Sequence, residues 1–236
     1  MIKKKGCVLI CIILLLLFAS PVSSLVFPSD LEYKNLFEVG DLITYKESPS
    51  SFQVYVFDKE TSGTILISET SDGKTGNSFS DSASISSNGI IAVFNSWSTN
   101  FVSNVKVCSN VYVKTVTTKG IEKIKDHALS PEISGNGEYV VYEHISDVKT
   151  DLPAIYRYEV SSGKEEFVDY TSYGNTNGGW YMPNPHINYD GSVITYHTTK
   201  RGSVEVWEWN NGKTKYIKNG IVTDVVINDD ISEMRQ

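Results

Sequence analysis

A chain of 236 residues that is 40% hydrophobic and 21% charged has the make-up of a globular protein of one domain or at most two, which excludes a disordered, collagen-like or multi-span membrane chain. Its 21 Lys and Arg stand against 28 Asp and Glu, and removing the first 24 residues takes away Lys3, Lys4 and Lys5 but no acid, leaving a net charge near −10. A nucleic-acid backbone or an anionic membrane surface rewards Lys/Arg clusters, and no such run is present, so neither is expected as a partner.

In chain order, the first element is a leader. Residues 1–24 have a basic start, an apolar run from Cys7 to Phe18, and small residues ending in Val22-Ser23-Ser24, the layout of a secretory signal peptide. Twelve apolar residues fall short of the roughly 20 that span a bilayer, so an uncleaved anchor is the second reading. The mature chain is expected to start near Leu25, leaving Cys108 as its only cysteine and no internal disulfide.

From residue 25 onward the chain holds 4 Ala and 7 Leu against 22 Val, 17 Ile, 17 Thr and 14 Tyr. β-Branched and aromatic side chains fit a pleated surface and lose rotamer freedom on a helix, and no window sustains a 3.6-residue apolar period. The expected class is all-β. A repeat then becomes visible: Ile85-Ser86-Ser87-Asn88-Gly89 precedes IIAVF, Ile133-Ser134-Gly135-Asn136-Gly137 precedes EYVVY, and Ile187-Asn188-Tyr189-Asp190-Gly191 precedes SVITY. A degenerate copy, Val39-Gly40 before DLITY, lies upstream, and the glycines are spaced by 49, 48 and 54 residues. Asn-Gly and Asp-Gly between apolar runs predict hairpins whose two central residues both take positive φ. Each hairpin is followed by a third strand, at 53–57, 110–114, 154–158 and 204–209, and then by Gly63, Gly120, Gly163 or Gly212 before a fourth. Four antiparallel strands per unit of roughly 40 to 55 residues predict the blades of a β-propeller.

The stretch from Ser71 to Val102 followed by NVYVK resembles the TolB-type propeller repeat of exported bacterial and archaeal proteins, and the likeness extends at repeat level over about residues 40 to 230. It implies a propeller of about four blades in this chain, either a closed small ring or part of a larger one. Propellers with this repeat serve as binding scaffolds, lyases and peptidase lids, so the resemblance implies a fold and leaves activity open. Where the family usually carries acidic loop residues, between Phe101 and Asn110, this chain has Asn104, Lys106 and Ser109, and no calcium site is carried over. Val222 to Asn228 aligns with an innermost strand. It is expected either to complete the first blade and close a four-bladed ring, or to begin a fifth unit of a longer propeller.

No HExxH, GxSxG elbow, P-loop or dinucleotide fingerprint is present, and the expectation is no cofactor and no metal. Ser84 and Ser86, Glu132 and Ser134, and His186 and Asn188 flank the repeated Ile on the opposite face, and they suggest water or a ligand near the axis. Glu132 and His186 are the ionisable pair of that set and the candidate acid-base site; the plainer reading is a solvated channel with a weak contact between them. Trp97, after a second strand, and Trp180 and Tyr181, in the Gly178 to Pro183 loop, are candidate recognition aromatics, since loops on a rigid scaffold carry binding. The expected function is an exported, non-catalytic propeller scaffold at the cell surface that binds a protein or carbohydrate ligand. The competing readings are a propeller lyase or hydrolase acting at the central channel and a fragment of a longer propeller protein.

Overall fold

The computed structural model describes residues 42–47, 51–58, 63–145, 153–171, 174–176, 179–181, 183–200 and 203–219, and the statements below concern these residues. The leader and the segment from Val222 to Asn228 lie outside them.

The β-branched and aromatic runs form strands as expected. The first sheet holds β1 (Leu42–Glu47), β2 (Ser51–Asp58) and β3 (Gly63–Leu66) in the order β1-β2-β3. The second blade is β4 (Ser80–Ile85), β5 (Ile91–Ser96), β6 (Asn110–Thr115) and β7 (Ile121–Asp126), each antiparallel to the next. The third repeats it with β8 (Ala128–Ile133), β9 (Tyr139–His144), β10 (Ala154–Glu159) and β11 (Lys164–Tyr170). A two-stranded ribbon of β12 (Gly174–Thr176) and β13 (Gly179–Tyr181) precedes the fourth blade of β14 (His186–Ile187), β15 (Val193–Lys200), β16 (Ser203–Asn210) and β17 (Lys213–Asn219). The Gly178 to Pro183 loop is therefore corrected in part: Gly179 to Tyr181 are a strand, with Asn175 opposite Trp180.

The hairpins at Gly89, Gly137 and Gly191 stand where the glycine repeat placed them, while the copy at Val39-Gly40 lies outside the described residues; their geometry differs from the expectation. Gly89, Gly137 and Gly191 have φ of 69°, 79° and 75°, whereas Asn88, Asn136 and Asp190 are not among the residues with positive φ. These are four-residue loops rather than two-residue turns. In the second blade, Ser86 N–H donates to Ile91 O, Gly89 N–H to Ser86 O, Ile91 N–H to Ser86 Oγ and Ile90 N–H to Asn88 Oδ1. The pattern recurs with Ser134 and Asn136, and with Asn188 and Asp190. The Ser/Asn-x-Asn/Asp-Gly repeat is thus a pair of short side chains capping backbone donors. The expected turn with two positive φ values occurs instead at Asn211 (44°) and Gly212 (87°), between β16 and β17.

Apolar faces of successive blades meet in three clusters. Val54, Val56 and Ile67 of the first pack on Ala92, Phe94 and Tyr112 of the second; Val93, Val111 and Val113 pack on Ile133, Val140 and Tyr142; and Val141 and Ile155 pack on Ile194, Tyr196 and Trp209. A cation spans each junction as well. Lys114 Nζ, buried, donates to Glu69 (2.8 Å), and Lys125 donates to Glu165. The Arg157 guanidinium lies 4.6 Å from both the Tyr139 and Trp209 rings and donates to Gly191 O at 2.6 Å. Lys114, the one of the three that is fully buried, is compensated by Glu69, as a low-dielectric junction requires.

Candidate functional site

Two clusters compete for a functional role, one on the inner strands and one at the blade ends away from the hairpins. On the inner strands, Ser82, Ser130 and Asn184 each stand three residues before the repeated Ile and each take positive φ, at 47°, 49° and 41°. The ladder slips there, between Asp81 and Ser84 and between Leu129 and Glu132. Left-handed backbone costs an L residue about 1 to 2 kcal/mol, so a threefold recurrence marks a built feature: a bulge that re-aims the residues after it. Among residues with a side chain Asn tolerates this conformation well, which fits Asn184, whereas Ser82 and Ser130 gave no such signal in the sequence.

What the bulge aims is the residue just before each Ile. Ile133 N–H donates to Ser84 Oγ at 3.3 Å, and Ile187 N–H donates to Glu132 Oε1 at 3.1 Å. The other Glu132 oxygen receives His186 Nδ1 at 2.8 Å. Glu132 and His186 are therefore brought together as foreseen, but both carboxylate oxygens tie the third blade to the fourth. Asn184 Nδ2 lies 3.1 Å from His186 Nε2, donating to a neutral ring; rotating that amide by half a turn would offer its oxygen to an imidazolium. Burial pulls the His186 imidazole down from 6.5, but the Glu132 hydrogen bond and charge outweigh it and leave it raised. His197 is lowered, by burial first and then by the charge of His186. Ser86, Ser134 and Asn188, foreseen as channel polar groups, are buried and bonded into the hairpin loops.

The second cluster contains Trp97. Its N–H donates to Phe79 O at 2.9 Å, so the two residues face each other across β4 and β5 just beyond the Ser80 to Ser96 pair. Phe79 is 41% exposed, and its ring lies 5.7 Å from that of Phe52, tilted by 37°. The loops carrying this shelf are locked. Asn77 N–H donates to Asn100 Oδ1, Asn77 Nδ2 to Thr99 Oγ1, Thr99 N–H to Asn77 Oδ1 and Asn100 Nδ2 to Thr75 O. Sequence reasoning found Trp97 and missed Phe79 and Phe52, because Phe52 lies 45 positions upstream of Trp97. Trp180 and Tyr181 sit on β13, before the fourth blade and at the blade end away from its hairpin; their side chains lie outside the description.

Cys108 is a half-buried loop residue whose thiol faces Asn110 Oδ1 at 3.2 Å. Among the described residues, no group of three His, Cys, Asp or Glu side chains is placed to hold a metal ion.

Comparison with known proteins gives a fold and stops there. No protein-family model matches the chain, and no curated protein matches it by sequence. Among solved structures it is similar to TolB of Acinetobacter baumannii, with 17% identity and a TM-score of 0.51, covering 77% of this chain and 42% of that one. It is similar at the same TM-score, with 13% identity, to a protein of Agrobacterium tumefaciens assigned as TolB, over 76% of this chain and 62% of that one. The protein is an all-β chain with the β-propeller fold, and it spans less than two thirds of the length of either of these structures.

Proposed function

We propose that the mature chain is an exported, non-catalytic propeller scaffold that binds a protein or glycan ligand through aromatic side chains at the blade ends away from the hairpins. The observation that carries this reading is the Phe79 and Phe52 ring pair beside Trp97, an apolar surface held on loops that four side-chain hydrogen bonds make rigid. Aromatic rings on a fixed frame bind with little loss of conformational entropy, which suits a sugar face or a peptide side chain. The apolar start of the chain supports export.

A second reading, a channel-side lyase or hydrolase, has one observation in its favour. Glu132 holds the His186 imidazole above its ordinary value against the opposing effect of burial, and both are partly exposed. Against it stands the engagement of both Glu132 oxygens in the junction between blades.

The test is a paired one. The Phe79→Ala/Trp97→Ala protein and the Glu132→Gln/His186→Asn protein are screened with the parent against glycan and envelope-peptide arrays and against polysaccharide cleavage assays. The scaffold reading expects at least a tenfold loss of ligand affinity in the first variant and none in the second. A turnover present in the parent and abolished only in the second variant would sink it.

A further inference from the structure

The outer edge of the fourth blade differs from those of the second and third. On β7, Lys123 is paired with Asp126 and Lys125 with Glu165; on β11, Glu166 is paired with Arg157 and Asp169 accepts from the Tyr196 hydroxyl. β17 carries Lys213, Lys215 and Lys218, all exposed, and among the described residues none of them makes an ion pair. Lys215 stands opposite Glu208 in register without bonding to it. This basic strip belongs to a mature chain with an expected net charge near −10. Its alternating spacing hides it in a reading for basic runs.

The strand's backbone is equally available. β17 ends its sheet, and among the described residues no strand flanks its outer side. The Asn211-Gly212 turn closes on Asn210 and Lys213, so the alternation of antiparallel ladders turns the Lys213 and Lys215 amides toward β16 and the Thr214 and Tyr216 amides outward. Tyr216 is 43% exposed and meets Trp207 edge-on at 5.9 Å, giving an apolar foothold beside the charges.

We propose that β17 is a docking edge for an extended acidic peptide, which adds to the fourth blade as a fifth strand. Main-chain bonds to the Thr214 and Tyr216 amides supply the register, acids pair with Lys213, Lys215 and Lys218, and an apolar side chain covers Tyr216. The acidic remainder of the surface repels the same peptide and so concentrates it on this edge. The site is independent of the aromatic shelf.

The probe is a fluorescein-labelled twelve-residue peptide of alternating Glu and Val, titrated by anisotropy into the full chain, with a Lys and Val peptide and a polyuronate as comparators. Binding of the acidic peptide alone is expected. It should fall at least tenfold on Lys213→Glu/Lys215→Glu/Lys218→Glu, fall similarly on Thr214→Pro, and stay unchanged on Phe79→Ala/Trp97→Ala. Thr214→Pro removes an outward N–H at an edge position that tolerates proline, and its melting curve reports whether it still folds. Hydrogen exchange on the unsubstituted chain gives a second readout: the Thr214 and Tyr216 amides should slow when peptide is added. Binding that survives Thr214→Pro, amides that stay unprotected, or a polyuronate that binds better than the peptide would overturn strand addition in favour of a plain polyanion strip. No binding of any probe would leave the lysines as guards of a free edge and overturn the proposal outright.

Discussion

The junction of the second and third blades and the junction of the third and fourth use one slot of the repeat in two ways. The residue before the repeated Ile is Ser84 in one and Glu132 in the other, and each accepts the N–H of the next blade's Ile. The serine makes one long neutral bond; the glutamate makes two bonds and recruits His186. The hairpin glycines differ in parallel. A Cβ on Gly137 of the third blade would come within 3.3 Å of the Ser86 side chain of the second, whereas one on Gly191 of the fourth would overlap the Tyr139 ring that also carries Arg157. The backbone frame is thus repeated, and beside the hairpins side chains make one junction aromatic and ionisable while the other is built on small neutral serines.

That contrast can be broken most strongly at the glycines. Gly191→Ala combines positive φ with the overlap and is expected to cost about 3 kcal/mol, while Gly137→Ala, whose methyl would only press on the Ser86 side chain, should cost little beyond the backbone penalty of about 1 kcal/mol. Chemical denaturation of both proteins checks this, and equal costs would mean that Tyr139 moves aside freely. Next in size is Glu132→Ala, which leaves the Ile187 amide and the His186 ring without their acceptor and should cost about 2 kcal/mol, against about 0.5 kcal/mol for Ser84→Ala. A larger loss from Ser84→Ala would show that the long bond matters more than its geometry suggests.

The smallest effect is the dependence on pH. His186 is raised in the folded protein, so its pairing with Glu132 contributes fully below the ordinary imidazole value of 6.5 and fades as pH rises through the raised value. His197 is lowered and acts with the opposite sign, costing stability as pH falls through 6.5 and its charge must be buried. Glu132→Gln keeps an acceptor for Ile187 but removes the charge. Melting curves across pH 5 to 8 should therefore show the parent's advantage over Glu132→Gln shrinking as pH rises, and a constant gap would refute the ionic part of the clasp.

Much of the architecture was legible because its causes are local. Ser86 and Asn88 cap a loop within five residues, and Gly89 supplies its one positive φ, so the motif could be read from adjacent letters. Type of turn was misread, since Asn-Gly serves both two-residue and four-residue hairpins and only the flanking pairing separates them. Trp97 was found as an aromatic in a loop, but its neighbours Phe79 and Phe52 were not, because they arrive through the strand pairing of one blade and the packing of the next. Glu132 and His186 were paired by analogy of position, yet their bonding to the Ile187 backbone needed a partner 55 residues away.

By itself, then, the sequence determined the all-β class, the repeat and the place of each hairpin, because strand preference, side-chain caps and glycine conformation act over a few residues. Only the tertiary structure decided which polar side chains are spent on holding blades together and which edges are left free. Those outcomes depend on groups about 50 residues apart meeting across a junction, where burial makes every unpaired donor or charge expensive.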